Sequence, residues 1–139
     1  MVAGIARKAA GMALVRFTLG TRPESGDYDM TGITKLDDNV SVAGQIAPED
    51  MRAVAGQGFR SIIGNRPDGE EPGQPDWAEL EAAAREAGLE TRHIPIASME
   101  DLEARKGDFA RALDEMPGPV LAFCRTGTRS GRLYEASKE

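Results

Sequence analysis

The residues of this 139-residue chain whose types and spacing suit chemistry lie near its C-terminal end, in Cys124-Arg125-Thr126-Gly127-Thr128-Arg129-Ser130. Cys124 is the only cysteine in the protein, and it follows an apolar run, Val120 to Phe123, that reads as a short buried strand. Gly127 permits a tight loop, and Ser130 stands where a helix can open. A strand that ends in cysteine and turns through glycine into a helix aims several backbone N–H groups at one point, and the helix dipole adds positive potential there. An anion at that point would lie against the sulfur, with Arg129 as its clamp and the amides of Arg125, Thr126, Gly127 and Thr128 around it. A thiol titrates near pKa ~8.5 when free, and a helix N-terminus with an adjacent arginine lowers that value, so Cys124 is a candidate nucleophile.

Composition narrows the partners. The net charge is -6, from 17 basic and 23 acidic residues, which argues against general affinity for nucleic acid or anionic membranes and leaves room for a local basic pocket. One cysteine and one histidine exclude an intramolecular disulfide and make a zinc centre a poor fit, so no metal and no cofactor is expected. No apolar run approaches the roughly 20 residues of a membrane span, and a cytoplasmic protein taking a small anionic or phosphorylated substrate is expected.

The elements that must position the loop alternate. Residues 39–43 read as a first strand, and Ala47-Pro48-Glu49-Asp50 opens a helix that stops at Gly56 or Gly58. Residues 59–63 form the next strand, and 64–74 a loop dense in turn formers. Residues 76–87 carry the clearest helical pattern, with Asp76 as cap and Gly88 as stop. Residues 91–96 read as extended, 100–116 as a helix weakened at Gly107, 120–123 as the strand before Cys124, and 130–137 as two helical turns. Such alternation predicts right-handed crossovers and a mostly parallel sheet with helices on both faces. Ligands of such sheets sit at the carboxyl ends of strands, where the Asn65 to Glu71, Ala97 to Asp101 and Cys124 loops meet. Residues 1–29 read as an N-terminal extension, basic up to Arg22 with apolar residues on one helical face and a polar linker after it, and residues 30–139 as the domain.

From about Thr31 to Ser137 the chain resembles the beta-lactamase-hydrolase-like phosphatase family, bacterial relatives of the dual-specificity phosphatases. Five blocks in order carry the resemblance: Val42-Ala43-Gly44-Gln45-Ile46 with Pro48-Glu49-Asp50, Gly58 to Ile63, Asn65-Arg66-Pro67-Asp68-Gly69-Glu70, His93-Ile94-Pro95-Ile96, and Cys124 to Ser130. The resemblance implies a three-layer protein tyrosine phosphatase-like α/β fold. It implies Cys124 as nucleophile, Arg129 as oxyanion clamp and Ser130 as the group assisting breakdown of a phospho-cysteine, with Glu100 or Asp101 and, from the earlier loop, Asp68 as candidate acids. Asn65, Arg66 and His93 are expected to support the loop. Asp68 and Glu70 read equally as turn and capping residues, His93 as a structural bond to backbone, and Arg125 as solvent-facing.

Three features keep other functions open. Four residues separate Cys124 from Arg129, a spacing that resembles rhodanese-type sulfurtransferases, which hold a persulfide on the cysteine. The chain departs from the phosphatase pattern again in carrying Phe123 before the cysteine and in lacking an obvious acid after Ile96. The first expectation is a cysteine-dependent hydrolase of phosphomonoesters. Sulfur transfer through a Cys124 persulfide is the alternative, and a weakly active anion or phosphopeptide binding module is a third.

Overall fold

A computed structural model describes residues 32–139, so the expectations for an N-terminal helix and linker in residues 1–29 lie outside the described residues. Five strands and four helices follow: β1 (Thr34–Lys35), β2 (Val40–Ala43), α1 (Met51–Gly56), β3 (Ser61–Gly64), α2 (Trp77–Glu86), β4 (Glu90–His93), α3 (Met99–Glu115), β5 (Val120–Phe123) and α4 (Thr128–Ser137). They form one sheet in the order β1-β2-β5-β3-β4, parallel throughout except for the short antiparallel edge strand β1. Strand β5, last in sequence, lies at the centre.

Strands β2, β3 and β5 are buried along their whole length, which is why Val, Ile, Leu and Ala dominate them without polar alternation. Alternate residues serve the two faces. Val40, Val42, Ile63, Val120 and Ala122 share a core with Leu102, Phe109 and Ala112 of α3 and Leu133 of α4. Phe123 instead points towards Trp77 of α2, with ring centroids 6.3 Å apart. Helix α3 packs on α4 and α2 on α1, giving the expected three layers. No helix among the described residues is long and apolar enough to cross a membrane.

Local differences from the sequence reading have physical causes. Strand β3 begins two residues late, because the amides of Arg60 and Ser61 both turn to the carbonyl of Pro119 before the ladder starts. Helix α3 runs unbroken through Gly107, since the burial of Leu102, Phe109 and Ala112 outweighs the roughly 1 kcal/mol a helical glycine costs. The segment Pro48–Asp50 is a 3₁₀ turn that leads into α1, with Asp50 Oδ2 accepting from the Ala47 amide at 2.9 Å. Asp76 occupies the N-cap position of α2, but its side chain makes no cap bond. The carboxylate of Asp68 takes the Trp77 amide instead, at 2.8 Å.

The parallel register aligns Ala43, Phe123, Gly64 and His93 in one row across the sheet. The segments leaving that row, which begin at Gly44, Cys124, Asn65 and Ile94, therefore share one rim.

Candidate active site

Cys124 leaves the middle of that rim. Its amide donates to the Ala43 carbonyl at 3.2 Å, extending the ladder by one residue, and its side chain is fully buried. The chain then turns through Gly127 at φ +93°, a left-handed conformation that disfavours a side chain, and an added Cβ would lie 3.4 Å from the backbone carbon of Ala43. Gly44 makes room on the other side. A Cβ there would sit 3.1 Å from the Arg125 carbonyl, which itself accepts from the Gln45 amide at 3.1 Å. The glycines let two backbones touch, and that contact sets the curvature of the loop.

The turn points amides at the sulfur. Gly127 N–H donates to Cys124 Sγ at 3.0 Å. Burial pushes the thiol pKa up, but hydrogen bonds from the backbone of Ser130, Thr126 and Gly127 and from the Ser130 hydroxyl outweigh it, and the net direction is down. The Thr126 and Thr128 hydroxyls bond one another at 3.1 Å on the exposed side of the loop. Ser130 Oγ also donates to Asn65 Oδ1 at 2.8 Å, so its single proton serves either the amide oxygen or the sulfur. Asn65 is buried and donates its own Nδ2 to the Ile94 carbonyl at 2.9 Å, which fixes its flip. It thereby joins the β3 and β4 exits to the first turn of α4.

Arg129 is held by three bonds. Its two terminal nitrogens donate to the two carboxylate oxygens of Glu70 at 2.7 and 2.8 Å, and one of them also donates to the Ile96 carbonyl at 2.8 Å. Charged hydrogen bonds from Arg129, reinforced by Arg66, pull the Glu70 pKa down to about 2 against the opposing effect of burial. Glu70 is therefore an ionised orienter of Arg129. The sequence reading treated it as a turn residue, because its partner lies 59 residues away and no local signal marks the pair.

Arg66 sits behind this pair and is 5% exposed. It donates to Glu70 Oε1 at 2.8 Å, to Glu71 Oε1 at 2.7 Å and to Gln45 Oε1 at 3.0 Å. Glu71 in turn accepts from Arg125 at 3.2 Å. His93 bonds the Arg66 carbonyl through Nε2 at 3.2 Å and stacks on Trp77 with a centroid separation of 4.8 Å. Gly64 leaves the space that Trp77 fills, since a Cβ there would be 2.6 Å from the indole.

The two aspartates occupy different places. Asp68 Oδ1 is turned to the start of α2. Asp101 lies in the first turn of α3, where its Oδ2 accepts from the Ala97 amide at 2.9 Å and its own amide donates to Ser98 Oγ at 3.1 Å. Ala97 directly follows Ile96, whose carbonyl Arg129 holds, so Asp101 belongs to a segment bordering the anion loop, while Asp68 shares a loop with Glu70 and is turned to the start of α2. Each aspartate retains one oxygen without a cap bond.

Residues 29–139 match the family described as beta-lactamase hydrolase-like protein, phosphatase-like domain. A beta-lactamase hydrolase-like protein from Agrobacterium fabrum is 40% identical over 100 residues, which make up 72% of this chain and 23% of that protein. The chain spans about a quarter of the length of the curated relatives it matches. The crystal structure of a phosphatase candidate from Neisseria meningitidis is 35% identical, with a TM-score of 0.65 over 74% of this chain and 73% of that one. The core catalytic domain of a PP-IP phosphatase from S. cerevisiae shares the fold at 15% identity, with a TM-score of 0.52 over 73% of this chain and 61% of that one.

Proposed function

The chain belongs to the beta-lactamase hydrolase-like family, in its phosphatase-like domain, and from that premise we propose that it is a cysteine-dependent hydrolase of phosphomonoesters. The observation that carries the reading is the convergence of the Thr126, Gly127 and Ser130 amides on Cys124 Sγ beside an arginine fixed by Glu70. The phosphoryl oxygens take those amides and Arg129, while the Cys124 thiolate attacks phosphorus from below. An S–P bond forms as the bond to the ester oxygen breaks, and the departing oxygen takes a proton from the free oxygen of Asp101. Water then attacks phosphorus and gives a proton back to the Asp101 carboxylate as the S–P bond breaks, phosphate leaves, and the Ser130 hydroxyl stabilises the returning thiolate. Fixed donors of this kind stabilise the charge that develops at phosphorus without reorganising. Substrates with acidic leaving groups, such as aryl phosphates, depend least on Asp101.

A second reading rests on the four-residue interval from Cys124 to Arg129. There the thiolate attacks the outer sulfur of thiosulfate, sulfite departs, and a Cys124 persulfide passes its sulfur to a thiophilic acceptor. One experiment separates the two. Wild type and Cys124→Ser are assayed with p-nitrophenyl phosphate, and in parallel with thiosulfate and cyanide. Phosphate ester turnover that disappears in the serine variant supports hydrolysis, and thiocyanate formation without ester turnover replaces it with sulfur transfer. Neither activity in the wild type leaves the domain as an anion-binding module.

A further inference from the structure

Three guanidinium groups and two carboxylates stand on the rim, and they are wired through one of the three. Arg66 is the buried member, and its donors go to Glu70, Glu71 and the Gln45 side chain. Glu70 continues to Arg129 and Glu71 to Arg125, the two arginines of the anion loop. Arg125 and Glu71 are both largely in solvent, with side chains 59% and 47% exposed, so their pair has little rigidity of its own. The Arg66 side chain is 3% exposed and is the fixed point of the set. A planar fork with donors in fixed directions sets the orientation of both carboxylates, which the freely rotating donors of an ammonium do not. The five side chains leave one positive charge over, as an anion site requires.

From this we infer that Arg66 is a positioning residue for the anion loop, acting on Arg129 and Arg125 through Glu70 and Glu71. The inference deepens the phosphomonoesterase reading and rests on it for the identity of the anion. Its test is binding of inorganic phosphate, which requires no turnover.

Phosphate affinity is measured by calorimetry on wild type, Cys124→Ser, Arg66→Met and Arg66→Lys, with circular dichroism and melting curves for each. Cys124→Ser retains the loop amides and Arg129 and binds phosphate, so a failure of the hydrolytic reading leaves this test standing. Arg66→Met loses affinity by about ten-fold or more, the size of loss typical when a group orienting a binding side chain is removed. Arg66→Lys falls between, because an ammonium keeps the charge without fixing the direction of either carboxylate. Guanidinium ion at low concentration restores part of the affinity to folded Arg66→Met and none to wild type. A folded Arg66→Met with phosphate affinity within about two-fold of wild type overturns the inference, whatever its melting temperature, since Arg66 would then only brace the loop. Should Arg66→Met fail to fold, Arg66→Lys decides. Wild-type affinity in that variant likewise overturns the inference.

Discussion

Glu70 and Arg129 meet as two parallel forks, each carboxylate oxygen accepting from a different terminal nitrogen at 2.7 and 2.8 Å. Arg129 also donates to the Ile96 carbonyl and lies within hydrogen-bonding reach of the Cys124 side chain, which sets the direction in which it can receive an anion.

Replacing Glu70 by glutamine breaks that fork while keeping its shape. Arg129 then samples several orientations, and kcat/KM for an aryl phosphate should fall by about 10- to 100-fold. The change also has a signature in acid. The Glu70 pKa is lowered from 4.5 to about 2, so its contribution to stability is full above the unfolded value and is lost as pH falls through about 2. The stability difference between wild type and Glu70→Gln, from urea unfolding, should hold steady above about pH 5 and shrink below it. A difference that stays flat to pH 2 would remove the ionised role assigned to Glu70.

Since Cys124 is the only thiol, its ionisation can be followed by the ultraviolet absorbance of the thiolate. The midpoint should lie below that of an unperturbed cysteine, because the loop amides outweigh burial. Ser130→Ala removes one of the groups stabilising the thiolate and should move the midpoint up. It should also leave Asn65 Oδ1 without a partner in a buried setting, at a cost of about 1–3 kcal/mol. An unchanged midpoint would mean that the Ser130 proton stays with Asn65.

Asn for Asp at positions 68 and 101 keeps an oxygen for each cap bond and removes the acid. Asp101→Asn should cut alkyl phosphate turnover by about 100-fold or more while changing aryl phosphate turnover far less. Asp68→Asn should alter both by less than about three-fold, its carboxylate being turned to α2. The reverse pattern would exchange the two roles.

Two alanine substitutions probe the close contacts. Gly127→Ala forces a side chain into φ +93° and should destabilise the domain by about 1–2 kcal/mol, with loss of phosphate binding. Gly64→Ala drives a methyl against Trp77 and should cost about 1–3 kcal/mol through overpacking. Melting temperatures with and without phosphate separate the two, since Gly64 lies under the indole and outside the anion loop.

The anion loop was legible because its chemistry is local. Cys124, Gly127, Arg129 and Ser130 lie within seven residues, and a strand–turn–helix reading fixes their relation. The three central strands β2, β3 and β5 were legible for the same reason, as compact, largely apolar runs between turn formers. Strand β1 was not, because two exposed residues, Thr34 and Lys35, carry no pattern to detect and owe their conformation to pairing with Ser41 and Val42. The supporting polar contacts were hidden by distance along the chain. Asn65 reaches Ile94 and Ser130, and Trp77 covers His93, through the sheet order alone. Asp76 shows a local rule misdirected: a residue of the right type stood at the cap position, while Asp68 from the preceding loop made the bond.

The central place of β5 also bears on the order of synthesis. Strands β2 and β3 flank it and have no ladder with each other, so each keeps an open edge while the ribosome makes the roughly 56 residues from Gly64 to Val120. When residues 120–123 emerge they close both edges in one event, and the loop that carries Cys124 and its amides follows directly. The nascent domain therefore carries no assembled nucleophile until β5 has entered the sheet and the loop after it has turned.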